Sequence, residues 1–187
     1  MNILLIEDMA GMAIPMQKEL LAQGHTVTWI VGAARVEADK IVGIRASKGL
    51  RGLAEDTWNG ESKRLITIDL ATIDVALIDG GLIKPVSSGA DYARALSAFG
   101  IPCVSITGGG AGAGFMSEAG CCAALPKEFV LLALRATVLD FQKLRLDRQG
   151  SSQSMLSFTE RTRAVHRAAV EQKKRFRTGF ALFDKRA

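Results

Sequence analysis

Asn2-Ile3-Leu4-Leu5-Ile6-Glu7-Asp8 is the stretch on which the fold turns. Four aliphatic side chains in an unbroken row, with no polar alternation, predict a strand buried on both faces, as in a parallel sheet. The row stops at two acids. In an open α/β sheet the ligand site lies at the carboxyl ends of the strands, so the acids fall where chemistry is expected. The pattern recurs three times. Asp74-Val75-Ala76-Leu77-Ile78 ends at Asp79, Ile101 to Ile106 ends at Thr107, and Cys121 to Leu125 is followed by Lys127. Three carboxylates, one hydroxyl and one ammonium are therefore expected along one sheet edge.

Between these runs the periodicity changes. Residues 10 to 22 predict a helix with Met12, Met16, Leu20 and Leu21 on one stripe, ended by Gly24 and followed by a second strand from His25 to Val31. A helix over 89–99 carries Tyr92, Leu96 and Phe99 at helical spacing before Gly100. One long helix is expected from about 127 to 145. The alternation argues a doubly wound α/β domain: a mostly parallel five-stranded sheet with helices on both faces. Residues 32–72 fit no single helix. Within them Val36 to Ile41 suggests a turn or two of helix, Trp58-Asn59-Gly60-Glu61 a hairpin turn, and Leu65 to Leu70 an extra strand.

The chain has 187 residues, 48% of them hydrophobic, which suits one domain with an appendage and excludes global disorder. The first apolar run is too short for a signal peptide, and no run reaches the ~18 residues of a membrane span. A cytoplasmic protein without membrane contact is expected. Three cysteines, none in a C-x-x-C pair, predict reduced core thiols. Charge is uneven. Residues 151–187 hold nine Lys/Arg against three acids, a net of +6, while 15 basic and 16 acidic residues leave residues 1–150 near −1. The expected organisation is a domain over 1–148, with its insertion at about 32–72, then a linker and basic helical tail over 149–187. Any attraction to polyanions belongs to that tail.

Two adjacent acids after a strand suit a hard cation such as Mg²⁺, which takes one or two carboxylates and fills its shell with water and phosphate oxygens. Asp79 adds a third carboxylate and is a candidate nucleophile toward phosphorus. Three crowded carboxylates repel unless a cation joins them. Lys127 and the Thr107 hydroxyl can each hold a phosphoryl oxygen.

Taken together, Ile-Leu-Leu-Ile-Glu7-Asp8, Val-Ala-Leu-Ile-Asp79, Ile-Pro-Cys-Val-Ser-Ile-Thr107 and Ala-Leu-Pro-Lys127-Glu-Phe resemble the receiver domain of two-component response regulators. The separations of 28 residues from Asp79 to Thr107 and 20 from Thr107 to Lys127 agree with it. The resemblance covers residues 1–31 and 73–146 and implies a flavodoxin-like fold. It also implies Mg²⁺ held by Glu7, Asp8, Asp79 and the Gly80 carbonyl, phosphorylation at Asp79, and readout by Thr107 and Lys127. The phosphate would come from a histidine kinase or phosphotransfer protein, and a downstream protein partner would read the result. No enzymatic activity is implied beyond self-catalysed phosphoryl transfer and dephosphorylation. Several positions depart from the pattern. Pro85 stands six residues after Asp79, Glu128 follows Lys127, and Ala124 occupies the place of the aromatic switch residue.

Two rival readings remain open at this point. One is a phosphorylation-independent pseudo-receiver acting as an interaction scaffold. The other is a nucleotide-binding enzyme using Gly108-Gly109-Gly110-Ala111-Gly112-Ala113-Gly114 as a phosphate cradle. The tail matches no effector module, and its basic helix is open to a homodimer contact or a nucleic-acid contact.

Overall fold

The computed structural model describes residues 1–45, 65–82, 88–107, 111–148, 160, 162–168, 170, 171, 173 and 174. Among these residues eight strands form two sheets: β1 (Asn2–Ile6), β2 (Thr26–Ile30), β3 (Gly32–Val36), β4 (Lys40–Ile44), β5 (Leu65–Asp69), β6 (Val75–Asp79), β7 (Cys103–Thr107) and β8 (Ala123–Pro126). The helices are α1 (Ala10–Ala22), α2 (Gly89–Ala98), α3 (Ala111–Glu118), α4 (Val130–Arg135), α5 (Phe141–Arg148) and the described part of 160–174, here α6.

The larger sheet has the order β2-β1-β6-β7-β8, with every pair parallel. This is the doubly wound arrangement expected, and its strand order reverses between β1 and β6. Alternate side chains feed two separate cores, as the pleat requires. Ile3, Leu5, Val75, Leu77, Val104 and Ile106 pack against α1, α4 and α5. Leu4, Ile6, Ala76, Ile78 and Cys103 face the other way, against α2 and the end of α3. None of the three cysteines forms a disulfide, with Cys103 and Cys121 buried and Cys122 half-buried. Among the described residues no helix is long and apolar enough to cross a membrane.

The second face holds something unexpected. The helical turns predicted at Val36–Ile41 do not form. β3, β4 and β5 instead make a three-stranded antiparallel sheet. Arg35 and Lys40 both pair with Glu37 at 2.8 and 3.1 Å, drawing residues 37–39 into a tight connection between strands. Ala33, Ile41 and Ile68 enter the same core as Leu4 and Ile78, so a small sheet does the covering on this side of β2. The contact is close. A Cβ on Gly43 would stand 2.6 Å from Ile30 Cγ2. The extra strand expected at 65–70 is β5.

Two helix expectations need correction. Leu21 is exposed, so the inner stripe of α1 is Ala13, Met16 and Leu20. The long helix over 127–145 is a single 3-10 turn (Lys127–Phe129), then α4, then α5. The break is a Schellman-type end. Val138 N–H donates to the Ala133 carbonyl at 3.2 Å and Thr137 N–H to the Leu134 carbonyl at 3.0 Å. Thr137 takes the left-handed conformation (φ 49°) usually given to glycine, which is why no sequence signal marked the stop. Asp140 Oδ1 then accepts from Lys143 N–H at 2.9 Å and opens α5. Relieving the left-handed strain with Thr137→Gly should stabilise the fold by ~1 kcal/mol in urea unfolding. The predicted hairpin turn at Trp58–Glu61, Gly108–Gly110 and the linker at 150–154 lie outside the described residues.

Candidate functional site

The switch point between β1 and β6 places Glu7, Asp8 and Asp79 together. Asp79 is the last residue of β6, paired in the ladder with Ile106, while Glu7 and Asp8 come directly after β1. All three are buried, at 0%, 3% and 1% exposure. One carboxylate oxygen from each lies within 4.8 Å of the others.

Lys127 comes in from the far side. It starts the 3-10 turn after β8, and its Nζ lies 2.8 Å from Asp79 Oδ2 and 3.9 Å from Glu7 Oε2. The other Asp79 oxygen, Oδ1, accepts from Gly81 N–H at 2.9 Å. Asp79 is thus oriented by one ammonium and one amide. Glu7 is held less completely. Oε1 accepts from Met9 N–H at 3.1 Å, and the Glu7 carbonyl accepts from Trp29 Nε1 at 2.8 Å, but buried Oε2 has no hydrogen-bond partner.

One ammonium cannot neutralise three desolvated carboxylates. Burial first, then the Asp79 charge and to a smaller degree Asp8, push the Glu7 carboxyl up from 4.5 to about 7, against the opposing pull of Lys127 and Met9 N–H. For Lys127, burial works to lower the pKa. The hydrogen bond to Asp79 and the charges of Glu7, Asp79 and Asp8 outweigh it, and the net direction is up. An orphaned carboxylate oxygen inside a cluster short of positive charge fits a divalent cation, which would satisfy both deficits.

Thr107 ends β7 one strand over, 5% exposed. Its methyl lies beside Gly80, where an added Cβ would stand 3.1 Å from Thr107 Cγ2. Gly80 N–H donates to the Ile106 carbonyl at 3.0 Å, fixing this turn against β7. All six residues expected at the site therefore come to one sheet edge: Glu7, Asp8, Asp79 and Lys127 in direct proximity, Gly80 and Thr107 adjoining. Of the glycine run, 111–114 open α3, a helix on the sheet face beyond Thr107.

One neighbour escaped the sequence reading. Gly89 begins α2 so close to the strand that a Cβ there would overlap the Asp79 carbonyl oxygen. Ser88 caps the helix through a reciprocal capping box with Asp91, which fixes where α2 begins. The motif Ser88-Gly89-Ala90-Asp91 was the available signal. Gly89→Ala should cost about 2 kcal/mol in urea unfolding, because backbone cannot yield as a flexible side chain does, and should weaken divalent-cation binding by displacing Asp79.

Solved structures share this arrangement of strands and helices. A CheY-like response regulator receiver domain protein from Methanospirillum hungatei JF-1 matches with a TM-score of 0.50 at 15% identity, over 81% of this chain and 98% of that one. The fold is the receiver fold. Similar in outline are a two-component response regulator from Clostridium difficile (TM-score 0.49, 16% identity, 80% and 98% covered) and the receiver domain of a sensor histidine kinase from Pseudomonas aeruginosa PAO1 (0.47, 19%, 80% and 98%). The latter structure has a magnesium ion coordinated in its active-site cleft. At these identities the likeness is one of fold. No protein-family model and no curated protein matches the chain. Within the receiver fold, the three-stranded sheet β3-β4-β5 occupies the interval between β2 and β6 where the sequence showed its extra length.

Proposed function

We propose that this chain is an atypical receiver protein that accepts a phosphoryl group at Asp79 in a Mg²⁺-dependent reaction and switches a protein-interaction surface. The observation carrying the reading is the trio of buried carboxylates within 4.8 Å, completed by Lys127 at 2.8 Å from Asp79. Glu7, Asp8, Asp79 and the Gly80 carbonyl would hold the ion, which supplies charge neutralisation when bound. Asp79 Oδ attacks phosphorus and the bond to the donor's imidazole nitrogen breaks. The imidazole leaves with that electron pair, and the product is an acyl phosphate on Asp79. Lys127 and the Thr107 hydroxyl then hold phosphoryl oxygens. The donor would be a histidine kinase or phosphotransfer protein.

The test is phosphoryl incorporation from a small phosphodonor, read by intact mass with and without Mg²⁺. Incorporation that needs Mg²⁺ and maps to Asp79 supports the reading; none under any condition removes it. The scaffold reading has one observation in its favour. Ala124, 2% exposed, stands in the aromatic switch position and its N–H is already bonded to Thr162. A protein partner that binds the Asp79→Asn variant as tightly as the natural chain would decide for the scaffold.

A further inference from the structure

α6 lies along β8, the edge strand of the parallel sheet, and its seat is specific. Ala124 N–H, directed outward from the edge, donates to Thr162 Oγ1 at 3.1 Å. Val165 is 2% exposed within the apolar cluster that holds Ala123, Leu125 and Val130. The His166 ring meets Phe129 edge-on with centroids 5.6 Å apart, and Lys173 Nζ stands 5.3 Å from the centroid of the same ring. Beside the helix opens a cleft of about 390 Å³ whose lining includes Thr107, Ala124, Thr162 and His166. The seat therefore adjoins the candidate site at two points. Thr107 shares the cleft, and Phe129 rides on the same single 3-10 turn as Lys127.

We propose that the β8 edge and Phe129 form a docking surface for this chain's own α6, and that an anion on Asp79 unseats that helix. The inference rests on the phospho-acceptor reading above. Lys127 Nζ sits 2.8 Å from Asp79 Oδ2, where a phosphoryl group would be added, so the ammonium must re-seat around the new oxygens. The turn is only three residues long, so a shift of its backbone with Lys127 would carry Phe129 along. Thr107, drawn toward the same anion, alters the cleft wall below Thr162. The helix is poorly placed to resist. Among its described residues Val165 is the buried aliphatic side chain, while Arg163, Arg167, Lys173 and Lys174 are exposed. A thin anchor over a coupled turn is a two-state element that a local charge can bias.

The experiment is hydrogen–deuterium exchange of the full chain with Mg²⁺, with and without beryllofluoride as the phosphoryl mimic. Peptides over 75–82 report loading, since Gly81 N–H is bonded to Asp79. Peptides over 160–174 report the helix. The expected result is slower exchange over 75–82 together with at least tenfold faster exchange over 160–174, both abolished in Asp79→Asn. Val165→Ala should speed exchange over 160–174 without any ligand. Phe129→Ala should keep the response over 75–82 and lose the beryllofluoride response over 160–174. Loading over 75–82 with unchanged exchange over 160–174 overturns the docking switch and leaves the phospho-acceptor standing. A Phe129→Ala helix that still responds overturns the route through the 127–129 turn, and no loading over 75–82 overturns both readings.

Discussion

Asp79→Asn should abolish phosphoryl incorporation, at least a hundredfold below the natural chain, while leaving the fold intact. Asn keeps the shape of the side chain and an Oδ1 that can still accept from Gly81 N–H, so the turn after β6 retains its hydrogen bond. It has no anionic oxygen to attack phosphorus. Removing one of three carboxylates should also lower Mg²⁺ affinity at least tenfold. A third effect belongs to Glu7. The Asp79 charge is the second cause of its raised pKa, so the variant's Glu7 carboxyl should titrate below the natural value of about 7. Carboxyl-carbon NMR across the titration checks this. An unchanged Glu7 midpoint would mean that burial, with the smaller push of Asp8, holds it up.

The metal-free protein should lose stability as the pH rises. The folded-state pKa of Glu7 is raised from 4.5 to about 7, so between these values the native state binds a proton that the unfolded chain releases. Stability from this group is full below about pH 4.5 and is lost as the pH passes 7. At 1.36 kcal/mol per pH unit the loss comes to about 3 kcal/mol, a large part of a typical domain's margin. Asp8, Asp79 and Lys127 face the same space, and Mg²⁺ should act on the whole group. At a hundred times its dissociation constant the ion would return about 2.7 kcal/mol, most of the loss. Urea unfolding at pH 5 and 8, with EDTA or Mg²⁺, reads both effects. Glu7→Gln should flatten the pH dependence and weaken the Mg²⁺ effect together. A flat profile in the natural chain would show that water or a rearrangement solvates Glu7 Oε2.

The part of the fold legible in the sequence owes its legibility to the physics of buried strands. A strand covered on both faces is largely apolar, so Ile3–Ile6, Val75–Ile78 and Cys103–Ile106, with Ser105 its single polar member, stood out, and the polar residues ending them marked the site edge. The small sheet was harder to see. Val36 to Ile41 holds two large aliphatic residues around a charged turn, a length at which strand and helix periodicity cannot be told apart. The break at Thr137 was hidden because a β-branched residue took a glycine's conformation. Contacts such as Tyr92 Oη with Ala33 N–H at 2.8 Å, or Thr162 with Ala124, join residues 59 and 38 positions apart. No local pattern announces such pairs.

The small sheet also defines a site of evolutionary and engineering freedom. Ile44 and Leu65 are cross-strand partners, so the end of β4 and the start of β5 lie side by side. Closure entropy grows only slowly with the length of chain joining two such points, by about 0.6 kcal/mol per doubling, so length inserted between them costs little. The β4 end is tied to the end of β2, where Val31 N–H donates to the Ile44 carbonyl at 2.9 Å. The acids belong to other strands and keep their positions. Sequence that recognises a new partner can therefore be grafted there while the carboxylate cluster stays as it is.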